Sequence, residues 1–245
     1  MFIVNPYIYG AAAGFTNEKS LLFDGVDEYV DCGTFTGFDS VSAFTFSGWI
    51  KFNAVGKYQG VFIRGGNSSN WIQIRIETND SIRIACRNGG TGDGVSASSL
   101  VTTGQWYHIA MVFDGGGATD SDKLKLYLDG SDISLTYSGT IPSTTSSTSA
   151  GLIFGYGNSP AYAFDGYMDE FAVFDYALDS TQITDIYNSG TPTDLDNTSG
   201  VTAPVHWWRM GDGDTYPTIT DVGTTAGNDG TMTNMESGDI VTDTP

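Results

Sequence analysis

Groups of carboxylates are the residues of this chain that could do chemistry. Asp27-Glu28 is followed by Asp31, and Asp169-Glu170 is followed by Asp175. Retaining glycoside cleavage needs an acid and a nucleophile about 5.5 Å apart, as an E-x-D-x-x-E strand provides. Neither group matches that arrangement. The sequence therefore offers no catalytic carboxylate pair.

The remaining nucleophile and base motifs are also missing from the sequence. His108 and His206 are the only histidines, and the chain contains no G-x-S-x-G, no H-E-x-x-H and no Cys/His arrangement. His108 stands between Tyr107 and Ile109 in a predicted strand, and we interpret it as structural. We expect no catalytic residues and no enzyme activity.

Aromatic residues beside turns are the candidates for ligand binding, because sugar sites pair an aromatic face with a few polar groups. Four aromatic residues flank turn-rich stretches: Tyr58, Trp71, Tyr156 and Tyr162. The alternative is that each packs beneath its loop. Trp49 and Trp106 belong to strand patterns and are expected in the core.

Charge excludes one class of partner. The net charge is -19, from 29 acidic and 10 basic residues, and the sequence shows no run of Lys and Arg that reverses the sign locally. We therefore expect no nucleic-acid binding. The acidic residues either keep the protein in solution or, in part, hold divalent cations, which take oxygen ligands.

Alternating apolar and polar residues predict strands, and turn signals such as Asp129-Gly130 separate them. The clearest segments are 44–52, 71–77, 81–87 and 123–129. One apolar face per strand predicts two stacked antiparallel sheets. The only convincing helix begins after Asp179, with Gln182 completing a capping box, and Gly190 is its predicted stop.

The ends of the chain and its cysteines carry weaker signals. Met1–Gly14 is not a good signal peptide, and no stretch reaches the roughly 18 apolar residues of a membrane helix. We expect no membrane partner. Residues 1–19 are predicted to be an extra strand or an arm that docks on another subunit. Cys32 and Cys86 are either one disulfide or two buried thiols.

Five segments, in order, resemble the laminin G-like, concanavalin A-like lectin/glucanase family. They are SLLFDGVDEYVDC (20–32), FTFSGWIK (44–51), GQWYHIAMVFD (104–114), LKLYLDG (124–130) and GYMDEFAVFDYA (166–177). Each motif is weak alone, but together they cover residues 20–190. The resemblance implies an all-β fold, an antiparallel jelly-roll sandwich with one short helix, in a single domain over 20–245.

The position of one segment along the chain differs from its position in the family. A segment like 205–231 normally precedes the "FDG" strand, whereas here it follows the helix. We favour a circular permutant over a truncated second copy, with 203–235 supplying the strand that the family places at its N-terminus. This order also resembles, more loosely, that of tailed marine phage proteins.

The resemblance implies calcium at two places. The family often holds calcium near the corner of Asp169-Glu170, and Asp221 with Asn228-Asp229 resembles its "D..GN...G" loop, with Asp24 or Asp27 as a further contributor. Calcium takes six to eight oxygens in loose geometry. The alternative is a cluster of Asx turns without metal.

Three functions follow from this reading. The first is a non-catalytic, lectin-like virion surface protein, a capsid decoration or a tail or fibre component, that binds glycans or neighbouring subunits in a homo-oligomer or larger assembly. The second is a purely structural capsid-cementing protein, and a distant third is a polysaccharide-cleaving enzyme. The expected location is the virion surface, or otherwise the extracellular space.

Overall fold

A computed structural model describes residues 14–67, 69–157 and 159–245 of the chain. The first 13 residues of the predicted N-terminal arm lie outside the described residues. The described part forms two antiparallel β-sheets packed face to face, which confirms the predicted sandwich. No described helix is long and apolar enough to cross a membrane.

Sheet A has the strand order β10-β9-β8-β3-β13-β1-β17, and β14 also pairs with β13. Its strands are β1 (Ser20–Asp24), β3 (Ala43–Phe52), β8 (Trp106–Asp114), β9 (Leu124–Leu128), β10 (Ser131–Ile133), β13 (Asp165–Phe174), β14 (His206–Trp208) and β17 (Ile240–Val241).

Sheet B has the strand order β11-β7-β6-β5-β4-β12-β2-β16-β15. Its strands are β2 (Tyr29–Thr34), β4 (Gln59–Asn67), β5 (Asn70–Ile76), β6 (Ile82–Cys86), β7 (Gly92–Val95), β11 (Thr136–Gly139), β12 (Gly151–Phe154), β15 (Thr218–Ile219) and β16 (Gly230–Thr233).

The period-two pattern decides which side chains enter the core. In β5, Ile72, Ile74 and Ile76 are buried between the sheets, so Trp71, Gln73 and Arg75 point to the opposite, outer face. Phe46 of sheet A stacks on Phe62 of sheet B, with ring centroids 4.0 Å apart. Aromatic packing of this kind adds to the hydrophobic free energy that holds the two layers together.

The C-terminal segment pairs with both sheets. Strand β14 pairs with β13, and β16 pairs with β2. Trp208 is fully buried in the core against Phe154, at 5.0 Å between ring centroids. Trp207 points to the other side of sheet A, where it joins a second apolar cluster. Residues near both chain ends thus complete the same two layers.

Helix α2 (Ser180–Tyr187) covers part of the outer face of sheet A through Ile183 and Ile186. Its N-cap Asp179 and Gln182 form the expected capping box. The predicted stop at Gly190 is wrong by two residues, because Asn188 takes the left-handed conformation and caps the helix. A short helical turn, α1 (Asp120–Lys123), precedes β9, and the described residues also contain 3-10 turns at Pro160–Tyr162, Asn188–Gly190 and Ser237–Asp239.

The cysteines are two buried thiols. Cys32 and Cys86 lie in β2 and β6 and form no disulfide. Burial raises the pKa of both thiols, so both remain protonated and behave as small apolar side chains.

Candidate functional site

Polar and aromatic side chains gather on the outer face of sheet B, across strands β4 to β7. Arg75 and Arg83 lie directly opposite each other on β5 and β6. Like charges in this position repel each other. Glu77 lies between them and accepts hydrogen bonds from Arg75 Nη2 and Arg83 Nε, both at 2.6 Å. The shared carboxylate holds the two guanidinium groups together.

A second carboxylate extends this arrangement. Asp93 of β7 accepts a 3.0 Å hydrogen bond from Arg83 Nη1 and two from Arg87, at 2.8 Å from Nε and 2.5 Å from Nη2. Paired contacts between a guanidinium and a carboxylate fix the orientation of both groups. We call the five residues Arg75, Glu77, Arg83, Asp93 and Arg87 the arginine ladder.

Aromatic rings stand at both ends of the arginine ladder. The Arg87 guanidinium lies 4.4 Å from the ring centroid of Trp71. At the other end, the rings of Tyr58 and Tyr162 are 4.8 Å apart, and Arg75 lies 5.2 and 5.0 Å from them. Trp71 and Arg75 are four residues apart in β5, or about 13 Å. The ends therefore frame an elongated polar surface.

The structure thus brings three of the four predicted ligand residues to this surface. Tyr58 and Tyr162 form one end, and Trp71 forms the other. The fourth, Tyr156, packs against Tyr29 of β2 at 5.6 Å between centroids, farther along the same side of sheet B. Their roles in ligand binding stay predictions.

The sequence reading missed the arginine ladder. The expectation that no basic cluster reverses the sign locally is wrong for this face, where three of the ten basic side chains are neighbours. Arg75 and Arg83 occupy the polar positions of alternating strands, which is a usable signal. The pairing of β5 with β6 that brings them together is not visible in the sequence.

The predicted metal residues Asp169 and Glu170 lie at a bulge of β13, beside the N-terminal segment. Asn17 Nδ2 donates to Asp169 Oδ2 at 2.9 Å. Asp169 Oδ1 and Asn17 Oδ1 are buried and have no hydrogen-bond partner among the described residues. Burial and the neighbouring Glu170 raise the pKa of Asp169. Two unpartnered oxygens at one place are consistent with a cation ligand set.

The carboxylate of Glu170 already accepts hydrogen bonds from protein donors. Its φ of 51° is in the left-handed region, and the bulge turns its carboxylate toward β14. Trp207 Nε1 donates to it at 2.6 Å, and Arg209 Nε and Nη2 at 3.0 and 2.7 Å. Burial raises the pKa of Glu170 to about 7, while Arg209 opposes that rise. These contacts give Glu170 a structural role.

In the second predicted metal loop, the Asp221 carboxylate also accepts hydrogen bonds from protein donors. Asp221 accepts from the backbone N–H groups of Trp207 (3.0 Å) and Gly223 (3.1 Å), and pairs with His206 Nδ1 at 2.7 Å. Burial would raise the pKa of Asp221, but these hydrogen bonds hold it below its usual range. The residues of this loop fit Asx turns better than a metal.

The other members of that predicted set make hydrogen bonds within their own loops or between the C-terminal segment and the region of β1 and β2. Asp229 Oδ1 accepts from the Asp221 N–H, and Asn228 Nδ2 donates to the Thr34 carbonyl. Asp24 Oδ1 accepts from the Val26 N–H, and Asn234 Nδ2 donates to the Asp27 carbonyl. Over the described residues, no three His, Cys, Asp or Glu side chains converge as a metal set.

Both histidines have structural positions. His108 is buried in sheet A beside Trp49, with ring centroids 5.1 Å apart, and burial lowers its pKa to about 3. It therefore stays neutral at physiological pH. His206 packs against Phe35 and Trp208 in addition to its bond with Asp221.

The fold recurs among solved structures. A candidate carbohydrate binding protein from Bacteroides ovatus superposes with TM-score 0.64 at 18% identity, over 93% of this chain and 62% of that one. A heptameric SAP-like pentraxin from Limulus polyphemus gives TM-score 0.53 at 15% identity, over 76% and 88% of the two chains. The CBM40 of a Ruminococcus gnavus IT-sialidase, bound to α2,3 sialyllactose, superposes with TM-score 0.50 at 13% identity, over 72% of this chain and 97% of that one.

Comparison of sequences gives a more direct assignment. No curated protein sequence matches the chain. The family model of the concanavalin A-like lectin/glucanases superfamily (Laminin_G_3) matches residues 24–184, which is more than half of the chain. This chain belongs to the concanavalin A-like lectin/glucanases superfamily.

Proposed function

We propose that this protein is a non-catalytic glycan-binding module, and that its site is the outer face of sheet B between Trp71 and the Tyr58–Tyr162 pair. The arginine ladder framed by aromatic rings is the observation that carries this proposal. Sugars need apolar contact for their ring faces and fixed polar groups for their hydroxyls. This surface supplies both. The lectin-like fold, shared with a sialyllactose-bound CBM40, supports the same function.

The carboxylates of this surface are poorly placed for catalysis. Glu77 and Asp93 are each bound by two arginine side chains. A general acid in glycoside cleavage must hold a proton and give it to the leaving oxygen. Glu77 Oε1 and both carboxylate oxygens of Asp93 instead accept hydrogen bonds from arginine N–H groups, which hold the two carboxylates in place as acceptors. This supports binding without cleavage.

Replacement of Trp71 by alanine should weaken glycan binding about tenfold or more, because aromatic anchors carry a large share of binding free energy. Binding to an immobilised glycan panel, followed by titration with the best ligand, measures the change. Tyr216→Ala is the matched control, since Tyr216 is an exposed aromatic residue outside this surface. Equal affinities for wild type and Trp71→Ala would contradict the assignment of this face.

A calcium ion at Asp169 is a second part of the proposal. Asp169 and Asn17 would hold it through the two unpartnered oxygens, and further oxygens would come from backbone or water. Bound calcium would fix the N-terminal segment to β13. Since a ligand bound only by the folded state stabilises it, a chelator should lower the melting temperature of wild type.

Asp169→Asn is the control for the chelation experiment, because it removes the charge but keeps the shape. Its melting temperature should not respond to chelator. Melting curves of wild type that coincide with and without chelator would end the calcium proposal.

The virion setting and the permuted strand order also remain proposals. The motif order in the sequence supports both, and the pairing of β14 and β16 with strands from the other end of the chain is compatible with permutation. A clean negative on the glycan panel would favour the capsid-cementing alternative. Release of reducing sugars from polysaccharides would favour the enzyme.

A further inference from the structure

The charge of the arginine ladder is opposite in sign to that of the protein. Three guanidinium groups face two carboxylates, which leaves one net positive charge on a chain of net charge -19. Asp80 lies in the turn between β5 and β6, where its Oδ1 accepts a hydrogen bond from the Gly56 N–H. Across the sheet, the next acidic strand residue on this face among the described residues is Asp31 of β2, three strands from β5. At strand spacing that is about 14 Å, beyond the Debye length at physiological salt.

Two arginines of the ladder have N–H groups that donate to neither carboxylate of the ladder. Arg75 uses Nε and Nη2 on Glu77, and Arg83 uses Nε on Glu77 and Nη1 on Asp93. Among the described residues, Arg75 Nη1 and Arg83 Nη2 have no protein acceptor and are not buried. Arg83 is the most exposed member, with 28% of its side chain accessible. These N–H groups are available to a ligand.

Core packing does not explain this pair of arginines. Opposed like charges cost free energy in an antiparallel pair, and the Glu77 carboxylate between them carries one negative charge for two guanidinium groups. A ligand anion would complete the charge balance at this point. Guanidinium groups held in place by carboxylates suit that task, because their forked N–H groups match carboxylate and sulfate oxygens.

We infer, as an extension of the proposed function on which it rests, that the site takes acidic glycans. A carboxylate or sulfate group of the glycan binds Arg75 and Arg83, while a sugar ring contacts the aromatic end. Neutral sugars would leave the ladder's spare positive charge without a partner. Because the protein as a whole repels polyanions, binding of an acidic glycan would itself point to a local site.

Matched pairs of polysaccharides test this inference on the intact protein. Polygalacturonate is compared with its methyl ester, which removes the carboxylate charge, and dextran sulfate is compared with dextran. We expect at least tenfold tighter binding of the charged member of one or both pairs, and weaker binding as salt rises. The two pairs separate a carboxylate preference from a sulfate preference.

Arg83→Gln should lower the affinity for the charged member about tenfold and lower the affinity for its neutral partner by a smaller factor, so that the ratio of the two affinities falls. Lys125→Gln is the charge-matched control, because Lys125 lies on β9 of sheet A. If Arg83→Gln does not fold, the matched pairs on wild type still decide the question. A merely structural Arg83 would reduce binding of both members equally.

Several results would overturn the inference. Equal affinity for both members of each pair, with binding still dependent on Trp71, would leave the glycan site standing and remove its acidic preference. An equal loss of affinity for the charged polysaccharide in Arg83→Gln and Lys125→Gln would show that the overall charge of the protein, and not this site, controls binding. DNA binding as tightly as the acidic sugars would assign the face to polyanions at large. No glycan binding at all would remove both proposals.

Discussion

A chain that ends before Val205 should fail to form a soluble, cooperatively folded protein. The deletion removes β14 and β16, so β13 and β2 lose a pairing partner each. It also takes Trp208 out of the core, where it packs on Phe154, and exposes apolar surface that the strands cannot cover alone. Thermal unfolding and near-ultraviolet circular dichroism of the truncated chain measure this result.

A point variant gives the same test at smaller scale. Trp208→Ala should destabilise the fold by about 3–5 kcal/mol, the usual cost of truncating a buried aromatic side chain. Tyr216→Ala, at an exposed position of the same segment, should change stability far less. A truncated chain that melts in one sharp transition would show that residues 205–245 are an appendage.

Asp39→Ala is expected to have the second large effect. Arg64 of β4 is fully buried and forms an ion pair with Asp39. Its other contacts are weaker, at 3.3 and 3.4 Å to Ser146. Burial already lowers the pKa of Arg64. Loss of one partner of a buried pair leaves a charge without compensation, which costs about 3–5 kcal/mol.

Urea denaturation of Asp39→Ala measures that loss as a lower midpoint. The double variant with Arg64→Met removes both charges and should recover most of the stability, because a buried pair is often replaceable by apolar side chains. A single variant as stable as wild type would show that Arg64 does not depend on Asp39. A double variant no better than the single one would contradict the uncompensated charge as the cause.

The strands that the sequence predicted well are those with strict alternation. Strands β5, β6 and β9 carry isoleucine or leucine at every second position, so period two identified both the strand and its buried face. Strand β7 (GDGV) has no such pattern and was not foreseen. It forms because β6 and β11 supply hydrogen-bonding partners on either side, and such partners come from tertiary structure.

The binding face was only partly predictable for the same reason. Aromatic type and nearby turns selected Tyr58, Trp71 and Tyr162 from the sequence. Asp93 had no signal, since its position opposite Ala85 exists only after β7 pairs with β6. Arg64 shows a second reason why sequence patterns fail. An arginine at a strand position suggests an outward side chain, but the Arg64 side chain enters the core.

Indole N–H resonances of the five tryptophans give the most direct test of glycan binding at the outer face of sheet B. Trp106, Trp207 and Trp208 donate their indole N–H to Asp243, Glu170 and the Asn228 carbonyl, whereas Trp71 Nε1 has no partner among the described residues. The ¹⁵N-labelled protein is titrated with the best panel ligand, and Trp71→Phe assigns the Trp71 peak. A saturable shift of the Trp71 resonance, with those of Trp207 and Trp208 unmoved, is the predicted result. Saturable shifts of Trp49 or Trp106 while Trp71 stays still would place the ligand on sheet A and contradict it.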